Sequence, residues 1–300
     1  MSSTAAVEVF QVDAFTTQRF AGNPAGVVLG AQVLDDAQMQ AIARELNNAD
    51  TAFVLPPDGA DHDLRVRFFT PRSEVPFVGH ATLAVHAVLA QRQPMAVRRQ
   101  AGRSGIVQVT TLPADAGFAI HQAPPVLGRS LLPDEITQTL DALGLASTAL
   151  DLRCPPRIAG SPSTRLLIAL QDGSALATLS PDLSQLARLS PLLGAAGYFL
   201  FTTRPAQSGC DIESRMFCPA LGIPEDPVSG NAHGLLGAHL LQHGQLQVNA
   251  GSAGFTGVQG HHMGRPGRVD VKLAVDGQGQ CSAVQIGGQA VVIFETRIAV

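Results

Sequence analysis

The sequence predicts an α+β protein made of two halves that repeat one design. Three observations predict it. The 300 residues suit two domains of about 150 each. Two nearly all-apolar stretches, GHATLAVHAVLA from Gly79 and GNAHGLLGAHLLQ from Gly230, read as helices, and a helix apolar all round belongs inside a core. Each is announced by the same punctuation. Arg67-Phe68-Phe69-Thr70-Pro71 closes a strand ahead of Gly79, and Arg215-Met216-Phe217-Cys218-Pro219 closes one ahead of Gly230. About half the chain separates the two copies.

The elements follow in order. Residues 7–14 alternate as a strand, 16–25 form a loop around Gly22-Asn23-Pro24, and 27–29 are a short strand. Residues 35–46 place Met39, Ile42, Ala43 and Leu46 on one helical face. Residues 51–55 and 64–69 are strands, the second alternating Leu64, Val66 and Phe68 with Arg65 and Arg67. After the first apolar helix, residues 97–122 read as strand, turn, strand, and 124–128 as a crossover. A helix over 133–143, capped by Asp134 or the preceding turn, leads to a strand at 165–170 and a helix at 183–193. Strands at 197–203 and 210–217 precede the second apolar helix, and three more are expected at 269–275, 283–287 and 290–298.

Composition excludes several functions. The net charge of −4 supplies no basic field for nucleic acid or anionic lipid, and with no Trp and one Tyr, Tyr198, stacking on bases is not expected. No apolar run reaches 18 residues and the opening MSSTAAVEVF has no basic leader, so a cytoplasmic protein without a membrane partner is expected. Cys154, Cys210, Cys218 and Cys281 form no CxxC pair and no metal-ligand spacing, and read as reduced thiols.

The chemistry gathers at the two glycine entries. The first N–H groups of a helix lack internal partners and, with the macrodipole, attract an anion. Glycine lets a ligand approach the backbone closely. Two such entries facing one cleft would suit a small carboxylate. His80 follows Gly79. Asp226 stands just before Ser229 and Gly230 in PEDPVSG, and Asp50 at a helix-to-strand junction. Each also has a structural explanation: core packing for His80, capping for Asp226 and Ser229, turn chemistry for Asp50.

At this point the chain resembles the PhzF family, the phenazine-biosynthesis isomerase group within the diaminopimelate-epimerase-like fold. The resemblance is carried by VDAFTTQRFAGNPAGVVL from Val12, ARELNNADTAFVLP from Ala43 and RFFTPRSEVPFVGHATLA from Arg67. It continues with SRMFCPALGIPEDPVSGNAHG from Ser214 and IGGQAVVIFE from Ile286. It implies two pseudo-symmetric lobes, each a curved mixed sheet wrapped round its apolar helix: residues 1–120 with 290–300, and 121–289. It further implies no metal or organic cofactor, a homodimer, and proton transfer next to an unsaturated or carboxylated carbon.

Residue by residue, the family's catalytic carboxylate falls on Asp50, the histidine after the glycine on His80, and the acid of the second loop on Asp226. Gly79, Ala81, Ser229, Gly230, Asn231 and Asn23 are the implied substrate contacts. The family usually has Glu where this chain has Asp50, and Ser where it has Asn231, so a substrate other than the phenazine precursor is expected. Related racemases of this fold use a cysteine pair. Cys218 lies away from the glycine entries, so thiol acid–base chemistry is not expected. The alternatives are a lyase that dehydrates a hydroxylated amino acid, and a non-catalytic binding protein on the same scaffold.

Overall fold

Nine residues of alternating burial, AVEVFQVDA, make the first strand, β1 (Ala6–Ala14). A computed structural model describes residues 6–114, 116–160 and 163–300. Residues 1–5, which the leader-peptide expectation concerns in part, lie outside them. The elements after β1 run β2 (Asn23–Leu29), α1 (Asp36–Leu46), β3 (Asp50–Leu55), β4 (Leu64–Phe69), β5 (Glu74–Val75), α2 (Gly79–Arg92), β6 (Val97–Gly102), β7 (Gly105–Thr111) and β8 (Phe118–Gln122). Next come β9 (Leu127–Ser130), α3 (Pro133–Leu143), β10 (Arg157–Ala159), β11 (Arg165–Ala169), α4 (Gly173–Ala177), α5 (Leu183–Leu193), β12 (Tyr198–Thr202) and β13 (Ile212–Cys218). The chain finishes with β14 (Ile223–Asp226), α6 (Gly230–Gln242), β15 (Ser252–Gln259), β16 (Gly267–Val275), β17 (Cys281–Gly288) and β18 (Ala290–Ala299).

The chain divides into two units, Met1–Gln122 with Gly287–Val300, and Ala123–Ile286. In the first, strand pairing runs β18–β1–β2–β3–β4–β6–β7–β8, with β5 folded back on β4. The β2–β3 and β4–β6 pairs are parallel and the rest antiparallel, so the sheet is mixed. Helix α2 packs against β18, β1, β2, β3 and β8. These strands come from both ends of the sheet, which therefore curls round the helix. Nine consecutive residues of α2, His80 to Val88, are buried, and its all-apolar composition follows from that enclosure.

The second unit repeats the scheme. Pairing runs β9–β10–β11–β12–β13–β15–β16, with β14 folded back on β13. Its parallel pairs are β11–β12 and β13–β15. These occupy the places of β2–β3 and β4–β6. Helix α6 is buried from Ala232 to Leu240 and packs on β15 and β16. A mixed sheet around a central apolar helix, twice over, is an α+β architecture.

Four local readings change. Residues 97–122 hold three strands, β6, β7 and β8, rather than two. Asn23 is not in a turn but opens β2, paired with Ala14. Gly22, at φ 61°, makes the turn, and Pro24 is tolerated because the parallel partner β3 first reaches β2 at Ala25. Asp226 is not in a loop but ends the short strand β14, opposite Met216. Helix α3 starts from Leu132, whose N–H donates to the Glu135 carboxylate at 2.8 Å, rather than from an Asp134 cap.

Candidate active site

Strand alternation decides where Asp50 points. Phe10, Val12, Ala25, Val27, Ala52 and Val54 pack with Ala81, Ala84 and Val85 of α2. Their neighbours Val9, Val28 and Phe53 pack on the opposite face with Met39 and Ile42 of α1. Asp50 has the parity of Ala52, so its carboxylate lies on the α2 face, where His80 sits one residue into the helix. Asp50 Oδ2 is 3.7 Å from His80 Nε2, and the two side chains are 14% and 10% exposed.

The approach to Asp50 is tied down from behind. Helix α1 opens with a capping box between Asp35 and Gln38 and closes on Asn47 at φ 52°. The next residue, Asn48, exchanges two hydrogen bonds with Gln11 of β1. Gln11 Nε2 donates to Asn48 Oδ1 at 3.0 Å, and Asn48 Nδ2 donates to Gln11 Oε1 at 2.8 Å. Gln11 reaches across Gly26, its partner in β2. A Cβ on Gly26 would come within 2.9 Å of Leu46 and Thr51, so only glycine leaves room there.

His80 is a neutral imidazole. Burial pushes it down to about 4, and a helix N-terminus also disfavours a cation. Its Nε2 is buried without a hydrogen-bond partner, which is uncommon for a buried polar atom. The N-cap of α2 is Val78, which offers no side-chain cap, so the opening N–H groups lack that partner. A Cβ on Gly79 would meet no atom within 4 Å; packing does not require the glycine. The Ala81 side chain is in the core. The first turn is stiffened by a buried chain. Thr82 Oγ1 donates to Val78 O at 2.8 Å, Gln100 Nε2 donates to Thr82 Oγ1 at 3.3 Å, and Gln100 Oε1 meets His86 Nε2 at 3.2 Å. Asn23 is 1% exposed at the same end of the sheet, two residues before the partner of Asp50.

The second helix entrance is built differently. The Ser229 hydroxyl caps α6 by accepting from Ala232 N–H at 3.3 Å. Gln259, 1% exposed, braces the segment before it: its Oε1 accepts from Ser229 N–H at 3.2 Å and its Nε2 donates to Asp226 O at 2.6 Å. Asp226 and Asn231 are half-buried. His233 Nδ1 donates to Ser229 O at 2.7 Å, and burial pushes its imidazole down to about 4. The two entrances are thus unequal, although the sequence presents them as twins.

Both units share a brace that the sequence motif hints at without explaining. Arg67 grips Glu74 with two bonds of 2.9 Å, and Arg215 grips Glu225 at 2.8 and 2.9 Å. The arginine of each R-x-F-x-P motif therefore fastens the returning strand. Arg67 holds the Glu74 carboxyl below its usual range, which removes it from acid–base duty. Burial pushes the Cys154 thiol up to about 11 and Cys218 to about 12, so both stay protonated. Among the described residues no group of three or more His, Cys, Asp or Glu could hold a metal ion.

Register shows what stands opposite Asp50 in the repeat. Thr51 pairs with Phe69 as Tyr198 pairs with Phe217. Phe69 and Phe217 hold the same place in the motif, so Asp50 corresponds to Gly197. Ala25 beside Asp50 likewise corresponds to Arg165, one residue before the Leu166–Tyr198 pair. Sequence reasoning missed both positions, because the correspondence appears only once strands are paired.

A curled mixed sheet around a buried helix, twice over, defines an epimerase-like class of fold. A hydroxyproline epimerase from Agrobacterium vitis matches the whole chain and 94% of its own with a TM-score of 0.63 at 13% identity, a likeness of fold alone. The chain belongs to the phenazine biosynthesis-like protein family, PhzC-PhzF, whose sequence model matches residues 12–296. "Uncharacterized isomerase YddE" of Salmonella typhimurium is 37% identical, covering 98% of each chain. The trans-2,3-dihydro-3-hydroxyanthranilate isomerase of Pseudomonas aeruginosa is 31% identical over 95% of this chain and 97% of that protein. A PhzF-family phenazine biosynthesis protein of Bacillus anthracis has a TM-score of 0.88 at 24% identity, covering 99% of this chain and 100% of its own.

Proposed function

We propose that the protein is an isomerase that moves a proton between carbons of a small carboxylate, with Asp50 as the acid–base group. The observation that carries the reading is the Asp50–His80 pair: a carboxylate 3.7 Å from a buried imidazole nitrogen that lacks a hydrogen-bond partner. In this scheme Asp50 takes a proton from a carbon beside the conjugated system. The electron pair shifts toward the carboxylate end, and the protonated Asp50 returns the proton to a second carbon. No oxidant or reductant is consumed. His80, being neutral, orients the substrate by a hydrogen bond rather than by charge. The uncapped N–H groups at Gly79, His80 and Ala81 favour the negative charge that develops.

On the second unit, Asp226 is proposed as a catalytic residue that orients the substrate or relays protons, and Ser229, Gly230 and Asn231 as substrate contacts, as is Asn23 on the first. The Ser229 hydroxyl is engaged as a cap, so its backbone is the part offered. The chemistry calls for no metal or organic cofactor. The curated relatives bearing isomerase names support the reaction class.

The test uses a panel of small 2,3-unsaturated and amino-acid-like carboxylic acids in deuterated water, with trans-2,3-dihydro-3-hydroxyanthranilate, the substrate named for the Pseudomonas relative, as the reference compound. The wild-type protein should wash deuterium into a carbon position, and Asp50→Ala should slow exchange about 100-fold or more. Equal exchange by both proteins would sink the role of Asp50. Dialysis against EDTA should leave the wild-type rate unchanged. A keto or enamine absorbance without exchange into recovered substrate would instead favour the lyase.

A further inference from the structure

We propose that Arg165 is a carboxylate-binding residue of the second unit, at the position corresponding to the surroundings of Asp50 in the first. The internal repeat carries the argument. Where the first unit has Ala25 beside Asp50, the second has Arg165 beside Gly197. The small residue and the functional residue have changed places between neighbouring strands. Gly197 is not an idle glycine. A Cβ there would lie 2.5 Å from Cys218 Sγ and 3.2 Å from Arg165 Cδ. The absent side chain is what lets the arginine stem cross the strand at this point.

The guanidinium is left in an unusual state. Nη1 donates to Thr164 O at 2.8 Å. Nε is buried and has no hydrogen-bond partner. No carboxylate among the described residues pairs with Arg165. The two motif arginines behave otherwise: Arg67 and Arg215 each hold a glutamate through two bonds. A partly buried cation with an unused edge is unfavourable unless something answers it. The Nε–Nη edge of a guanidinium presents two parallel donors that match the two oxygens of a carboxylate. A small organic carboxylate is therefore the ligand class that fits.

This rests on the reading of the protein as acting on a small carboxylate, but it is separable from the role of Asp50. Anthranilate and anthranilamide are the probes, alike in shape but differing in charge. Both are read by their own fluorescence, which a chain without Trp leaves clear. The wild type should bind anthranilate. Arg165→Met should weaken that binding about tenfold or more while leaving anthranilamide unchanged. Arg165→Lys, which keeps the charge but loses the fork, should fall between. Circular dichroism confirms that each variant folds.

If the wild type fails to bind anthranilate, or Arg165→Met weakens both probes alike or neither, the proposal is overturned. Should Asp50→Ala keep its proton exchange while Arg165→Met loses only the carboxylate, the mechanism above falls and the Arg165 seat stands.

Discussion

At the residue scale, one step of strand parity separates chemistry from packing. Asp50 faces α2 and its neighbour Thr51 faces α1, so a single-residue slip would put a hydroxyl where the carboxylate stands. Asp50 and His80 were legible from motifs, because the glycine-histidine entry and the NNADTAF run lie within short stretches of chain. Arg165 and Gly197 were not. They become partners through a parallel pairing across 32 residues, and no local pattern marks that.

Backbone strain gives a prediction at this scale. Phe20 has φ 68°, is 69% exposed, and donates its N–H to the buried Asp13 carboxylate at 2.7 Å. A bulky residue in this region is strained and glycine is not. Phe20→Gly should therefore raise stability by about 1 kcal/mol, visible as a higher melting temperature. The opposite holds at Gly257, where a Cβ would lie 2.4 Å from the fully buried His233 ring. Gly257→Ala should lower stability by about 1–3 kcal/mol in urea unfolding.

At the scale of elements, the junction between α1 and β3 governs the site. The Gln11–Asn48 amide pair anchors the chain two residues before Asp50. An aspartate side chain is short, so its carboxylate follows the backbone closely. Asn48→Ala should lower kcat by up to about 100-fold with KM little changed. The exchange of both amides, Gln11→Asn with Asn48→Gln, should recover part of the loss. An unchanged kcat in Asn48→Ala would show that the junction holds without the pair.

The long apolar helices, α1, α3 and α5 were legible because apolar periodicity and turn residues agree in them. Strand β15 was not: SAGFTGVQ carries two glycines within eight residues and reads as loop. Its place is set by its neighbours. A Cβ on Gly254 would lie 2.6 Å from Val271 O, and one on Gly257 would meet the His233 ring, so close approach rather than propensity selects both glycines. Strand β14 failed for a related reason, since its proline and two acids suit an edge strand held by the Arg215–Glu225 brace.

For the molecule as a whole, four buried histidines set an acid limit. Burial pushes His80, His86, His233 and His239 down to about 4. Unfolded, each titrates near 6.5. Between these values the unfolded chain binds more protons than the folded one, so stability rises with pH there and falls as pH drops. Above about 6.5 the difference vanishes; below about 4 each histidine has cost up to about 3 kcal/mol. Urea unfolding at intervals from pH 7 to pH 4 should show a progressive loss. Replacing His239, remote in sequence from the helix entrance, by Gln should flatten the slope, and an unaltered slope would remove that group from the account.

The strand β18 has a further consequence. It lies beside β1, pairing Ala6 with Ala299, so the first unit's sheet stays open until residues 290–299 have been made. The second unit is one continuous stretch, Ala123–Ile286, and has no such wait. During synthesis the later-encoded half can close first, while the half bearing Asp50 and His80 stays incomplete until β18 has emerged. A released chain truncated after residue 289 should be protected from protease across the second unit and leave β1 open to cleavage.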